Sequence, residues 1–247
     1  MSTLDGLLDQ MRAGLAELTE AGDARRHFHA TYLRTTEAVA AEIARGGFAD
    51  GPWVAHWDLV FAQLYLDALT ADRQGRPVPG PWRVAFGAAR DRPGLPPLRH
   101  VLFGLNAHIN YDLPQALVGA IGRDEFADPL RLGLRRADHE HLDSVLQARV
   151  GAEDAELAAV SRVTLADRLL RPANQAASRR FLAEARAKVW RNAVVLDRAR
   201  TAGAPAYAEA LDELERRCER RVLDLTRPGP VLLRLASRGF GVLLPDA

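Results

Sequence analysis

Apolar residues recur at helical spacing along most of the chain. Leu4, Leu7, Leu8, Met11, Leu15 and Leu18 fall on one stripe, and Gly22-Asp23 then supplies a stop followed by a fresh cap. From about Ala24 to Arg45 the residues Phe28, Tyr32, Leu33, Val39, Ala40 and Ile43 share a side, and Gly46-Gly47 closes the run. Asp50-Gly51-Pro52 is a start signal with proline in the first turn. Behind it, Val54, Trp57, Leu59, Val60, Phe61, Leu64, Tyr65 and Leu69 make a stripe broad enough to predict a deeply buried third helix.

Two punctuated stretches, Arg73–Pro81 and Asp91–Pro97, predict loops around a short helix over Trp82–Ala89. From Leu98 the spacing of Val101, Leu102, Leu105 and Ile109 restores the helical period. Helices are also predicted over Ala137–Arg149, Glu153–Leu170, Asn174–Ala202 and Ala206–Thr226, with an apolar Pro230–Leu244 that begins as a helix. Alternating β patterns bounded by hairpin turns are hard to find. The reading is an all-α, single-domain bundle over residues 1–247 with about eight to ten helices.

Composition narrows the class. Hydrophobic residues make up 48% and charged residues 26% of 247 positions, which fits a globular chain with a sizeable core. The net charge of +1 gives no global pull toward nucleic acid or membrane. No stretch reaches the roughly twenty apolar residues of a membrane span. The first residues lack the layout of a secretory signal, and Cys218 is the only cysteine, so a cytoplasmic location is expected. The arginine strips Arg179, Arg180, Arg186, Arg191 and Arg216, Arg217, Arg220, Arg221 read as solvated helix faces rather than a nucleic-acid surface. There is no Gly-rich phosphate loop, no Gly-x-Ser-x-Gly elbow and no His-Glu-x-x-His. Oligomeric state is not legible.

The chemistry concentrates in Gly104–Pro114, where Asn106, His108, Asn110 and Asp112 interrupt an apolar run. His108 with Asp112, and Asn106 with Asn110, are i,i+4 neighbours on a helix. A charged aspartate among apolar residues is costly unless paired, hydrogen-bonded, metal-bound or facing a wet cavity. Pro114 leaves a second reading open, in which the helix breaks and Asp112 caps the next one. Asp58 lies near the stripe of Phe61 and Tyr65, and Asp138-His139-Glu140-His141 with Asp143 forms a further cluster that also reads as a solvated helix start. His27 and His29 point apart on their helix and read as ordinary surface or partly buried residues.

Candidate acid–base residues are therefore His108, Asp112 and Asp58. Candidate substrate contacts are Asn106, Asn110, Tyr65 and Trp57. Candidate metal ligands are His108, Asp112, Asp58 and Asp138, for a divalent zinc, manganese or iron ion.

The run Asn106-Ala-His-Ile-Asn-Tyr-Asp-Leu-Pro114 resembles the signature of the bacterial family catalogued as domain of unknown function 5995. Tyr32-Leu33 with Thr35, Phe48-Ala49-Asp50, Asp58 with Phe61-Ala62 and Tyr65, and Asp138 with Leu142-Asp143 extend the resemblance over most of the chain. It implies an all-α cytoplasmic protein and brings no reaction with it. Three readings stand at this point. One is an enzyme, with metal-dependent hydrolysis as the default; the second is a metal-free pocket for a small apolar metabolite, lined by Trp53, Trp57, Phe61, Tyr65, Phe103 and Tyr111; the third is a buried hydrogen-bond network that only fixes packing.

Overall fold

A computed structural model describes residues 3–159, 165–229, 235 and 239–245, without the side chains of 143 and 147–182. The helices are α1 (Leu4–Glu20), α2 (Arg26–Ala44), α3 (Gly51–Arg73), α4 (Gly80–Asp91), α5 (Pro97–Ala107), α6 (Leu113–Ala120), α7 (Arg123–Ala127), α8 (Pro129–Ala159), α9 (Leu165–Ala202) and α10 (Ala204–Thr226). No strand occurs among the described residues, so the all-α expectation holds.

The predicted punctuation works where its chemistry is local. Asp50 caps α3 by accepting from the Trp53 amide at 3.0 Å, and Gly22 and Gly46 take the left-handed backbone that ends α1 and α2. The bundle departs from expectation at α8, which begins at Pro129 rather than Ala137. Asp128 supplies the start by accepting from the amides of Leu130 and Arg131. Leu130 and Leu134 are 82% and 57% exposed there, so the first turns lack the buried stripe that betrays a helix in sequence. The predicted break near Gly151 is absent because α8 runs through it to Ala159. The linker between α8 and α9, and most of the apolar Pro230–Leu244 stretch, lie outside the described residues; its described part, 239–245, is not helical.

One contiguous core runs through the described helices. α3 packs on α6, α9 packs on both α6 and α10, and α10 covers α4 and α5. The Trp53 indole ties α3 to α6 by donating to the Ala120 carbonyl at 3.1 Å. This arrangement encloses the carboxyl half of α5 and the turn that follows it. No helix among the described residues is long and apolar enough to cross a membrane.

Candidate functional site

α5 neither breaks nor caps at Asp112. The Leu113 amide bonds to the His108 carbonyl, five residues back, so His108–Asp112 forms one wide π turn that leads directly into α6. Pro114 explains the widening: it has no N–H to offer the preceding turn, and its ring would crowd a regular α-helical carbonyl. Such turns are rare and concentrate at functional sites. The Asp112 carboxylate makes no capping bond and turns inward instead.

There, His108 Nδ1 and Asp112 Oδ2 share a hydrogen bond of 2.9 Å, and the Trp82 indole donates to the same oxygen at 2.9 Å. Aromatic rings enclose the imidazole. Phe61 stacks on it at 3.7 Å and 5°, and Tyr32 meets it edge-on at 4.3 Å. Phe28, Tyr65 and Trp82 close the shell at 5.8, 5.9 and 6.0 Å. His108 and Asp112 are each 2% exposed.

Burial sets the protonation. It holds the His108 imidazole well below its usual range and drives the Asp112 carboxyl well above its own, with the Trp82 bond pulling the latter back. Both groups are thus pushed toward neutral forms, in which Asp112 donates to Nδ1 and Nε2 carries the ring hydrogen. Burial likewise pushes the Asp58 carboxyl up to about 7, and burial plus the Asp58 charge raises the Tyr32 hydroxyl. Among the described residues, His108 Nε2, Oη of the adjoining Tyr32 and, three residues before Phe61 on α3, Asp58 Oδ2 are buried without a hydrogen-bond partner.

The other sequence candidates are dispersed around this nest. Tyr65 contributes its ring, but its hydroxyl bonds to His29 Nδ1 at 2.9 Å, and His29 Nε2 reaches the Met11 carbonyl at 2.8 Å. Trp57 lies between Trp53 and His139, at 5.3 and 5.6 Å, and its indole N–H has no partner among the described residues. Asn106 and Asn110 both donate to the Phe240 carbonyl, at 3.2 and 3.1 Å. His56 is exposed.

Asp138 is a clamp at the start of α3. Its two oxygens accept from the amides of Ala49 and Asp50 at 2.7 and 2.9 Å. It sits well inside α8, so it is not at a helix start. Asp138→Ala leaves both amides without their acceptor and is expected to cost about 3 kcal/mol in urea unfolding, whereas a surface alanine substitution on α8 costs under about 0.5. His141 pairs with Glu42 at 3.0 Å near the surface, and the Asp143 side chain lies outside the described residues. Among the described residues, no three His, Cys, Asp or Glu side chains gather to hold a cation, so the expected set His108, Asp112, Asp58 and Asp138 is not assembled.

Several expectations need correction. His29 is 1% exposed and part of the hydrogen-bonded core, because its two ring nitrogens both find partners there. Arg186 is buried rather than solvated and donates to the His139 carbonyl. Of the aromatic residues proposed to line an apolar cavity, Phe61 and Tyr65 pack on His108, Trp53 and Trp57 stack on each other, and Phe103 lies against His100. A cavity of about 10 Å³, room for one water, lies beyond Phe28 and Trp82. An open cleft of about 310 Å³ lies at the surface beside Ala49, Asp50 and Arg135 and contains none of the candidate site residues.

Sequence reasoning missed Trp82, which holds Asp112. A buried indole N–H needs an acceptor, but nothing in one dimension says which of the chain's carboxylates it finds.

No curated protein and no solved structure matches the chain. A model of a family of unknown function (DUF5995) matches residues 4–228, a span that includes the π turn and every residue of the nest. The chain belongs to the DUF5995 family.

Proposed function

We propose that the chain is an acid–base enzyme that acts on a small polar substrate at the His108 imidazole. The observation that carries this reading is the buried His108 Nε2, which has no partner among the described residues, together with two further buried atoms in the same state, Oη of the adjoining Tyr32 and Oδ2 of Asp58 on α3. Each costs about 1–3 kcal/mol unless something bonds to it. Chains keep such costs where function needs the group.

The roles follow from the geometry. Phe61 fixes the plane of the ring, and Asp112, itself held by Trp82, fixes its rotation and proton inventory. Nε2 offers a hydrogen to a substrate heteroatom as the Asp112 proton passes to Nδ1, which leaves an Asp112 carboxylate held by Trp82 and a neutral imidazole whose bare Nε2 is the base. Asp58, pushed up to about 7, is balanced between acid and base near neutral pH. The acid–base reading is preferred to metal-assisted hydrolysis because the expected ligands do not converge.

A second reading, a network that only fixes helix packing, is favoured by the deep burial of every member. NMR titration of the labelled chain with acetate, acetamide and methylamine separates the two. A substrate site gives saturable shifts of the His108 ring signals that vanish in His108→Gln. A packing network leaves those signals unmoved by all three probes.

A further inference from the structure

Segment 239–245 is held almost entirely by side chains that reach its main chain. Asn110 donates to the Phe240 carbonyl at 3.1 Å and accepts from the Val242 amide at 3.2 Å. Asn192 repeats the move two residues on, donating to the Val242 carbonyl at 2.9 Å and accepting from the Leu244 amide at 2.8 Å. Each carboxamide copies the pair of bonds that a neighbouring parallel β-strand makes with residues j−1 and j+1.

The other carbonyls from Gly239 to Leu243 are also taken. Asn106 shares the Phe240 carbonyl, Lys188 reaches that of Gly241, Arg217 that of Leu243 and Arg221 that of Gly239, while Glu184 accepts from the Phe240 amide. Arg217 and Arg221 of the supposed solvated strip on α10 therefore line a groove. Phe240, Val242 and Leu244 are buried at alternate positions, as in an extended chain with one face in the groove. Gly241 approaches α9 so closely that a Cβ would stand 3.0 Å from the Ala185 Cα.

Recognition of this kind reads backbone, with apolar pockets at every second residue, and it is how sheet edges capture extended peptides. Two further observations point to an exchangeable occupant. Asn106, Asn110 and Asn192 lie within the family match at 4–228, and the segment they hold lies beyond it. Asn106 Oδ1, on a fully buried side chain that reaches the Phe240 carbonyl, finds no donor among the described residues, so the resident segment leaves one acceptor of the groove unused.

We propose that this groove is a binding site for extended peptides with apolar residues at alternate positions about a glycine, and that the chain's own 239–245 segment occupies it in cis. The site lies on the Asn106 and Asn110 side of the π turn and does not depend on the acid–base reading of His108.

The test uses the full chain and a fluorescein-labelled peptide of residues 238–246, read by anisotropy. The double variant Phe240→Asp, Val242→Asp, whose own segment no longer fits the pockets, binds the peptide saturably and at least tenfold more tightly than the wild type. Adding Asn110→Ala and Asn192→Ala lowers that affinity at least tenfold. A cooperatively melting double variant that binds no peptide overturns the proposal, as does binding that survives loss of both asparagines. Should the double variant not fold, amide exchange on the wild-type chain decides. Phe240, Val242 and Leu244 are expected to exchange at least tenfold faster than the buried amides of α9 and α10, and exchange at the same rate as those amides overturns the proposal.

Discussion

Asp58→Asn is expected to melt roughly 10 °C above the wild-type chain at pH 8, with the gap closing by pH 4. Asp58 is 8% exposed, its Oδ2 has no partner among the described residues, and burial pushes its pKa from 3.8 to about 7. A carboxyl whose folded pKa is raised favours folding below its unfolded pKa, and that contribution is lost as pH rises through the folded one. The loss accumulates between about 4 and 7 at about 1.4 kcal/mol per pH unit, so it reaches on the order of 4 kcal/mol and is flat above. Asparagine has nearly the same shape and never ionises. The difference in melting temperature between the two chains should therefore grow from pH 4 to pH 7 and then level off. A difference independent of pH would mean that Asp58 is solvated or paired.

Wild-type stability has an opposite acid limb. Burial lowers the pKa of His108, His139 and His29, and brings that of His27 to about 4. These rings bind protons in the unfolded chain below about pH 6.5 but not in the folded one, so their contribution is lost as pH falls. Asp58→Asn leaves this limb in place.

Gly104→Ala is expected to be the most damaging single methyl in the chain. A Cβ at Gly104 would stand 2.3 Å from Phe28 Cγ and 2.8 Å from Phe28 Cβ, so no swing of a flexible side-chain end relieves it. Phe28 is wedged against Tyr65, Trp82 and the His108 ring. Moving it disturbs the wall of the nest. Overpacking of this kind costs typically 1–3 kcal/mol, and here about 3 or more. Pairing Gly104→Ala with Phe28→Leu frees the space and should recover part of the loss, a coupling readable from a double-mutant cycle in urea. Strictly additive costs would show that the two residues do not compete for the same volume.

Much of the helical plan is legible in one dimension, because caps and stripes are local. Asp50-Gly51-Pro52 and the loop predicted from Arg73 bracket α3 to within a residue or two of its ends, with the stripe from Val54 to Leu69 between them. The start of α8 is hidden because its first leucines face solvent. Pro114 is ambiguous by nature: proline signals a break, and whether the chain breaks or widens into a π turn depends on how tightly α5 and α6 are held by α3, α9 and α10.

The site is legible as a location and only partly as an arrangement. His108 and Asp112 find each other because i,i+4 spacing brings them together. Trp82, Phe61 and Tyr32 come from other helices, and their convergence is a tertiary fact. Asn106 and Asn110 share the polar run yet face the opposite way, where they hold residues more than 130 positions distant. Asp138 looks like a ligand in sequence and is a backbone clamp in space.

A substrate site at His108 requires that solvent reach the imidazole from the folded state, since the ring is 2% exposed at rest. Solvent exchange of the His108 Nε2 hydrogen, followed by ¹H–¹⁵N NMR on the wild-type chain at neutral pH, reads this directly. Exchange well ahead of the most protected helical amides is expected, through local opening at the nest. Protection equal to that of those amides, so that the ring hydrogen is released only by global unfolding, would contradict a substrate site and leave a sealed packing network.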